Sequence, residues 1–182
     1  MNALPSAVFF DRDGTIIDDT GYVSHPRDVQ LIPGAADAIS RINATLVPLI
    51  VVTNQSGIGR GYFNEDDYRR VTNRVVELLE ESGARVDAWY FCPHAPDQGC
   101  DCRKPGLKLF RDAAADYPDI DLARSLYVGD RRRDVEPGVL LGGSGVLVAS
   151  PATPPEDIAW SEAHARVAPS LAAVVDWYLC TN

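Results

Sequence analysis

The chain has 182 residues, of which 46% are hydrophobic, and a formal net charge of −9. This length and apolar share predict a single domain over residues 1–182 with a core of its own, and they exclude a wholly disordered chain. The acidic charge argues against nucleic acid and membrane surfaces as partners.

Neither a membrane span nor an export signal is expected from the sequence. No stretch reaches the roughly 18 uncharged apolar residues that a membrane span needs. The amino-terminal segment lacks a basic region and runs straight into Asp11-Arg12-Asp13, which is unlike a signal peptide. We therefore expect a cytoplasmic protein whose four cysteines stay reduced, as metal ligands, reactive thiols or, for Cys180, a core residue.

Short apolar runs alternate with segments of helical periodicity along the chain. Buried strands are predicted at residues 7–10, 46–52, 86–91, 126–128 and 146–149. Helices are predicted at residues 32–42, 64–81, 107–117, 135–141 and 171–179. Asn64 is the expected N-cap of the second helix, Pro137 lies in the first turn of the fourth, and Pro48 weakens the second strand. The alternation predicts an α/β fold, a Rossmann-like doubly wound parallel sheet with helices on both faces, and residues 151–155 form a proline-rich turn.

Polar clusters directly follow three of the predicted strands, at residues 11–13, 53–56 and 129–134. In a doubly wound sheet, ligands bind beyond the carboxyl ends of the strands. We therefore expect the three clusters to converge on one site, although an aspartate at a single strand end could simply cap a turn.

Asp11, Asp13 and Asp130 would bring three carboxylates close together. Because like charges raise one another's pKa, a hard divalent cation among them is the simplest relief, and Mg²⁺ suits oxygen ligands. Hydroxyl groups of the second cluster and the Lys104 ammonium would supply donors for a phosphoryl group. These groups predict phosphoryl transfer through an aspartyl-phosphate.

Cys92, His94, Cys100 and Cys102 offer three thiolates and one imidazole within eleven residues. This is the donor set of a closed tetrahedral Zn²⁺ site, the alternative being a chance run of free thiols. Four protein ligands leave no open position for water, so the zinc is expected to be structural. It would pin the loop that leads directly into Lys104.

Several segments resemble the motifs of the haloacid dehalogenase (HAD) superfamily of phosphohydrolases, namely Phe9-Phe10-Asp11-Arg12-Asp13-Gly14-Thr15, Thr53, Lys104 and residues 129–134. Residues 21–23, 53–61, 92–94 and 100–105 further resemble the branch that contains heptose 1,7-bisphosphate phosphatases and histidinol-phosphate phosphatases. The resemblance covers about residues 7–150 and implies the HAD-like fold.

The resemblance also implies catalytic roles for matching residues. Asp11 would attack phosphorus, and Asp13 would protonate the leaving oxygen and then activate water. Thr53 and Lys104 would stabilise the transferring phosphoryl group. Asp134 would either order Lys104 or the surroundings of the metal, or cap the following helix.

Binding roles follow from the same resemblance. Mg²⁺ would be held by Asp11, the Asp13 carbonyl and Asp130. The resemblance also implies zinc in the cysteine loop, in agreement with the donor set. Arg103 would recognise the substrate, at its remote phosphate. The remaining substrate contacts are expected from Arg12, Asp19, Thr20, Gly21, Tyr22, Asn54, Gln55, Ser56 and Arg131.

The spacing of the motifs leaves no room for a cap domain, so we expect an open site shaped by loops at residues 18–31, 55–64 and 92–105. The expected function is Mg²⁺-dependent removal of the C7 phosphate of D-glycero-D-manno-heptose 1,7-bisphosphate, a small-molecule substrate, by a monomer. Alternatives are a histidinol-phosphate phosphatase, another sugar-phosphate phosphatase, a nucleic-acid 3′-phosphatase, or a non-enzymatic phosphoacceptor or zinc-loop interaction module.

Overall fold

A computed structural model describes residues 4–178 of the chain. Within this range six strands form one parallel sheet in the order β3-β2-β1-β4-β5-β6. The strands are β1 (Val8–Phe10), β2 (Leu49–Asn54), β3 (Ala88–Cys92), β4 (Leu126–Gly129), β5 (Ser144–Val148) and β6 (Arg166–Ala168). The predicted doubly wound α/β sheet is confirmed.

Helices cover both faces of the sheet. The α-helices are α1 (Ala35–Asn43), α2 (Ser56–Gly59), α3 (Glu65–Glu81), α4 (Lys108–Asp116), α5 (Arg132–Leu140), α6 (Pro155–His164) and α7 (Leu171–Tyr178), with short 3-10 helices at Pro26–Asp28 and Leu122–Arg124. Successive side chains of β1 point to opposite faces, so Val8 and Phe10 join one apolar cluster and Phe9 joins the other. The sheet is therefore buried on both sides, as its continuous apolar strands require.

The longest helix, α3, begins where the sequence predicts. The side chain of Asn64 accepts a hydrogen bond from the Asp67 N–H (3.0 Å), and the Asp67 side chain accepts one from the Asn64 N–H (2.9 Å). This capping box satisfies two N–H groups that have no partner inside the helix. The helix ends before Gly83, whose φ of +70° suits glycine.

Two proline effects differ from expectation. Pro48 lies just before β2, and its carbonyl accepts a hydrogen bond from the Val8 N–H (2.9 Å), so the strand itself contains no proline. Pro137 was placed in the first turn of a helix beginning at residue 135, which is wrong. Helix α5 begins at Arg132 and carries Pro137 in its interior.

The segment after the proline-rich turn contains two elements that the sequence analysis did not predict, α6 and β6. Ser161 is the single buried residue of α6, so this helix carries no apolar stripe to reveal its period. Strand β6 has three residues and lies at the edge of the sheet. Residues 179–182, including Cys180, lie outside the described range, and so does the prediction made for that thiol.

The topology brings the three polar clusters together. Strand β1 pairs with β2 on one side and with β4 on the other, all in parallel. The residues that follow these three neighbouring strands therefore meet at one edge of the sheet. Between β1 and β2 the described chain adds only a loop, a 3-10 turn and α1, so no cap domain covers this edge. No helix within residues 4–178 combines the length and apolarity needed to cross a membrane.

Candidate active site

Three buried carboxylates gather at the carboxyl ends of β1 and β4. Asp11, Asp130 and Asp134 each offer an oxygen, and these oxygens lie within 4.8 Å of one another. The Nζ of Lys104 donates to Asp11 Oδ1 at 2.8 Å and lies 2.8 Å from Asp134 Oδ1. The same ammonium donates to the Val52 carbonyl at 2.5 Å. One buried cation thus serves two of the three acids.

Glycine residues make this close packing possible. Gly14 has a φ of +82°, and a Cβ at this position would lie 2.5 Å from Asp130 Oδ2. A Cβ at Gly129 would lie 2.3 Å from the Asp134 Cβ. Both distances are shorter than any real Cβ contact, so larger residues here would displace the acids.

The electrostatics of the acid cluster favour a bound cation. Burial, followed by the charges of Asp134 and Asp11, raises the pKa of Asp130 to about 7. Burial also raises the pKa of Asp134, against the opposing effect of Lys104. The Oδ1 atom of Asp130 is buried and has no hydrogen-bond partner among the described residues. An acidic, oxygen-only donor set with a free buried oxygen fits a hard divalent cation such as Mg²⁺.

The third carboxylate of the cluster belongs to Asp134, whereas the sequence predicts Asp13 as the third acid. For Asp134 the sequence predicts either a contact with Lys104 or the metal's surroundings, or a cap on the following helix. Its Oδ2 accepts a hydrogen bond from the Arg131 N–H (3.1 Å) and so caps the first turn of α5. Its Oδ1 faces Lys104. Both contacts occur together. The side chain of Asp13 lies outside this cluster, and the metal contact expected of its carbonyl stays a prediction.

The Asp13 carboxylate is instead held by two neighbouring side chains. Arg12 donates to it through Nε (3.1 Å) and Nη2 (2.9 and 3.0 Å), and Gln55 Nε2 donates at 2.8 Å. Burial raises the pKa of Asp13 while the Arg12 guanidinium opposes that effect. The carboxyl group lies in the pocket wall with 20% of its side chain exposed, so it is accessible to a ligand.

Asn54 fixes the backbone of Lys104 by two reciprocal hydrogen bonds. The Lys104 N–H donates to Asn54 Oδ1 (2.9 Å), and Asn54 Nδ2 donates to the Lys104 carbonyl (3.1 Å). Because Asn54 ends β2, this pair ties the loop that carries Lys104 to the sheet. The ammonium is thereby placed beside the carboxylate that follows β1.

An open pocket of about 290 Å³ lies above these groups. Most of the predicted substrate-contact residues line it, and these are Asp19, Gly21, Tyr22, Asn54, Gln55, Ser56 and Arg103. Asp11 and Asp13 also line it, whereas Thr53 and Lys104 are almost fully buried. Arg60 and Arg133 line it as well, and the sequence analysis did not select them.

Three residues predicted to contact substrate do not line this pocket. Arg12 is 0% exposed and its guanidinium is held by Asp13 and Gln55 beneath the pocket wall. Thr20 does not belong to the pocket lining. Arg131 lies outside the lining too, since its Nη1 pairs with Asp130 Oδ2 at 2.6 Å. The neighbouring arginine on α5, Arg133, lines the pocket instead.

The cysteine loop forms a second, separate group of ligand atoms. Cys92, His94, Cys100 and Cys102 each place one ligand atom within 4.8 Å of the others. The Sγ atoms of Cys92 and Cys100 are 3.7 Å apart, and His94 Nδ1 lies 3.2 Å from Cys102 Sγ. Zinc–sulfur bonds of about 2.3 Å in a tetrahedron separate two sulfur atoms by about 3.8 Å. The cluster is compact enough to hold one such ion.

This loop is attached to the pocket wall. The Gln55 N–H donates to the Cys92 carbonyl (2.8 Å), and the Gly59 N–H donates to the Pro93 carbonyl (2.8 Å). Arg103 Nη1 also approaches the His94 carbonyl at 3.5 Å. These hydrogen bonds fix the position of the cysteine loop relative to Arg103 and to the segment around α2.

Comparisons with known proteins agree with this geometry. A family model described as HAD-hydrolase-like matches residues 101–174. The D-glycero-beta-D-manno-heptose-1,7-bisphosphate 7-phosphatase of Escherichia coli strain K12 is 41% identical over 160 residues, covering 81% of this chain and 82% of the relative. The phosphatase of the same name from Haemophilus ducreyi is 43% identical over 136 residues, covering 71% and 74%.

A solved crystal structure is also similar to this chain. The D,D-heptose 1,7-bisphosphate phosphatase of B. bronchiseptica, complexed with magnesium and phosphate, superposes with a TM-score of 0.86 at 34% identity, covering 96% of this chain and 98% of the other. Together, the fold and the site define a hydrolase of the haloacid dehalogenase type. Within that class, the chain belongs to the heptose bisphosphate phosphatase family of phosphoric monoester hydrolases.

Proposed function

We propose that this protein removes the 7-phosphate from D-glycero-D-manno-heptose 1,7-bisphosphate and leaves the phosphate at C1. The observation that carries the proposal is the buried Asp11–Lys104 pair (2.8 Å) at the base of a pocket with an arginine-bearing wall. This pair at the bottom of the pocket suits the phosphoryl group that is transferred. Arg60, Arg103 and Arg133 in the wall suit a second phosphate, since guanidinium groups bind phosphate oxygens in pairs.

The reaction proceeds in two displacements. In the first, an Asp11 oxygen attacks phosphorus, the bond between phosphorus and the C7 oxygen breaks, and Asp13 gives its proton to that oxygen. In the second, water attacks the aspartyl-phosphate, Asp13 takes a proton from the water, and inorganic phosphate leaves. Burial raises the pKa of Asp13, which favours its action as an acid near neutral pH.

Thr53 and Lys104 stabilise the phosphoryl group during transfer. The Thr53 Oγ1 accepts a hydrogen bond from Gln55 Nε2 (2.9 Å), which leaves its own O–H free to donate to a phosphoryl oxygen. The Lys104 ammonium already contacts Asp11. A fixed cation beside the nucleophile offsets the negative charge that the transferring group brings into the site.

Two metals are part of the proposal. Asp11, Asp130 and the Asp13 carbonyl would hold Mg²⁺, which when bound supplies positive charge to the phosphoryl oxygens. Separately, Cys92, His94, Cys100 and Cys102 would hold a structural Zn²⁺, since four protein ligands complete its coordination. We also propose a single catalytic domain over residues 1–182, acting in the cytoplasm as a monomer on small sugar phosphates, without nucleic-acid or membrane partners.

The decisive experiment compares substrates at fixed Mg²⁺. Phosphate release is measured with heptose 1,7-bisphosphate, histidinol phosphate and a 3′-phosphorylated oligonucleotide, and phosphorus NMR locates the phosphate that remains on the sugar. We expect kcat/KM for the bisphosphate to exceed the others by at least about 100-fold, as differences in several charge-assisted contacts allow. A preference for histidinol phosphate, or a product that retains the 7-phosphate, contradicts the proposal.

A further inference from the structure

Arg12 is a charged residue with no exposed surface. Burying a guanidinium is costly unless its donors are used. Here Nε and Nη2 donate to the Asp13 carboxylate, and Nη2 also donates to Gln55 Oε1 at 3.2 Å, whereas Nη1 has no hydrogen-bond partner among the described residues. The guanidinium carbon lies 5.4 Å from the centre of the Tyr68 ring, which is within cation–π range. The charge is therefore held beneath the pocket wall.

The amide group of Gln55 is also fully engaged in hydrogen bonds within the protein. Its Nε2 donates to Asp13 Oδ2 (2.8 Å) and to Thr53 Oγ1 (2.9 Å), and its Oε1 accepts from Arg12. Only 4% of the residue is exposed. Both polar ends of the amide therefore already have partners inside the protein, and little is left for a ligand.

We propose that Gln55 and Arg12 are positioning residues that hold the Asp13 carboxylate in its working orientation, and that neither binds substrate. The inference rests on the proposed function, in which Asp13 is the acid and then the base. A proton is transferred efficiently only when donor and acceptor are aligned within hydrogen-bond distance. The Arg12 and Gln55 donors fix a carboxylate that would otherwise rotate freely about its side-chain bonds.

Gln55 also links two steps of the same reaction. Through its single amide nitrogen it contacts the acid Asp13 and the phosphoryl donor Thr53. By donating to Thr53 Oγ1 it occupies a lone pair of that oxygen and so biases the O–H toward the pocket. Removal of Gln55 should therefore impair proton transfer first and phosphoryl stabilisation second.

The test uses leaving groups that differ in their need for a proton. When the phosphorus–oxygen bond of a sugar phosphate breaks, the alkoxide must take a proton from Asp13. The p-nitrophenolate ion leaves p-nitrophenyl phosphate without one. Single-turnover formation of the phosphoenzyme should fall about 100-fold in Gln55→Leu with heptose bisphosphate, the lower end of general acid catalysis. The burst of p-nitrophenolate should stay within about 3-fold of the parent protein.

Two further variants keep the test decisive. Gln55→Glu retains the shape and the Arg12 contact but turns a carboxylate toward Asp13, so it should show the same selective loss if Gln55→Leu fails to fold. Asn73→Leu is the matched control, because Asn73 is an exposed amide residue of α3 outside the pocket lining, and should react within 2-fold of the parent at both substrates. An equal loss with both leaving groups overturns the positioning role.

A double-mutant cycle separates this inference from the proposed function. In the Asp13→Ala background, Gln55→Leu should cost no more than about 3-fold, the part that acts through Thr53, because the part that acts through Asp13 has nothing left to position. A full additional loss in that background refutes the inference. Full activity of Asp13→Ala alone refutes the proposed role of Asp13 instead, so the two failures give different results.

Discussion

Two clusters of metal-ligating side chains approach each other in the chain, and they differ in almost every physical respect. Cys102 closes one of them, and Lys104, two residues later, lies inside the other. The cysteine cluster has sulfur and nitrogen donors and a full set of four. The acid cluster has oxygen donors only. The Lys104 ammonium lies between its carboxylates, and the pocket opens above it.

This difference fits a catalytic role for the acid cluster and a structural role for the cysteine cluster. Burial and the neighbouring carboxylates raise the pKa of Asp130 to about 7, so full ionisation of the acid cluster near neutral pH is favoured by additional positive charge. A bound divalent cation would supply that charge beneath an open pocket. A zinc ion in the cysteine cluster, as proposed, would have all four positions filled by protein ligands and none left for a substrate. Variants in the two clusters should therefore fail in different ways.

The largest effect is expected at the nucleophile. Asp11→Asn preserves the shape of the side chain but removes the attacking oxygen, so phosphate release should fall at least about 1,000-fold, as loss of a nucleophile does elsewhere. Circular dichroism should show the parent fold. Asp112→Asn, an exposed aspartate paired with Lys108, is the control and should be fully active. Retained turnover in Asp11→Asn would remove the acid cluster from the chemistry.

Lys104 should give the next largest effect. Lys104→Met removes a fixed cation from the phosphoryl site, which should reduce kcat about 100- to 1,000-fold. It also leaves Asp11 and Asp134 without their shared partner, and breaking a buried ion pair in this way costs about 3–5 kcal/mol of unfolding free energy. Lys108→Met, at an exposed lysine of α4, is the matched control for both measurements. Equal kcat values for the two variants would show that the ammonium is dispensable.

The positions of Asp11 and Asp130 could be predicted because they depend on topology, whereas the third acid of the cluster is Asp134 in place of the predicted Asp13. Asp11 and Asp130 each follow a buried strand, and parallel strands that pair with one another end at a common edge. The direction of the arginine side chains could not be predicted in this way. Helix α5 begins at Arg132 instead of residue 135, because Asp134 caps it and Pro137 is accommodated further in. That shift brings Arg133 to the pocket and leaves Arg131 with Asp130.

Burial explains the other differences between prediction and structure. The resemblance implies a substrate contact for Arg12, but its hydrogen bonds to Asp13 and Gln55 hold its side chain beneath the pocket. Their mutual contact joins two strand ends that are separated by about forty residues, which no local pattern reveals. Helix α6 was missed for the opposite reason, since it buries almost nothing and its sequence shows no apolar period.

The cysteine cluster should show a smaller and less specific effect on activity. Cys102→Ser removes one thiolate, so zinc measured by mass spectrometry should fall well below one ion per chain and the melting temperature should drop by at least about 5 °C. Activity should fall up to about 100-fold through displacement of the adjoining Arg103 and Lys104.

Cys180→Ser, at the cysteine that is not one of the proposed ligands, is the control, and this variant should keep its zinc. If Cys102→Ser binds a full equivalent of zinc, the cluster is not the metal site. Because displacement of Lys104 affects the transfer step of every substrate, the kcat values for heptose bisphosphate and p-nitrophenyl phosphate should fall together. A loss confined to one of them would place the loop in the reaction itself.

The smallest effect should come from the residue that joins the two clusters, Arg103. Its guanidinium lines the pocket, and within residues 4–178 it approaches the His94 carbonyl at 3.5 Å, a long contact that a second phosphate could replace. Arg103→Ala should raise KM for heptose bisphosphate about tenfold, the equivalent of one charge-assisted hydrogen bond, with kcat nearly unchanged. The matched measurement is p-nitrophenyl phosphate, which has no second phosphate and should show no change in KM. A tenfold loss with both substrates would mean that Arg103 acts at the transferring phosphoryl group beside Lys104, and the remote phosphate would then need another partner in the wall, such as Arg60.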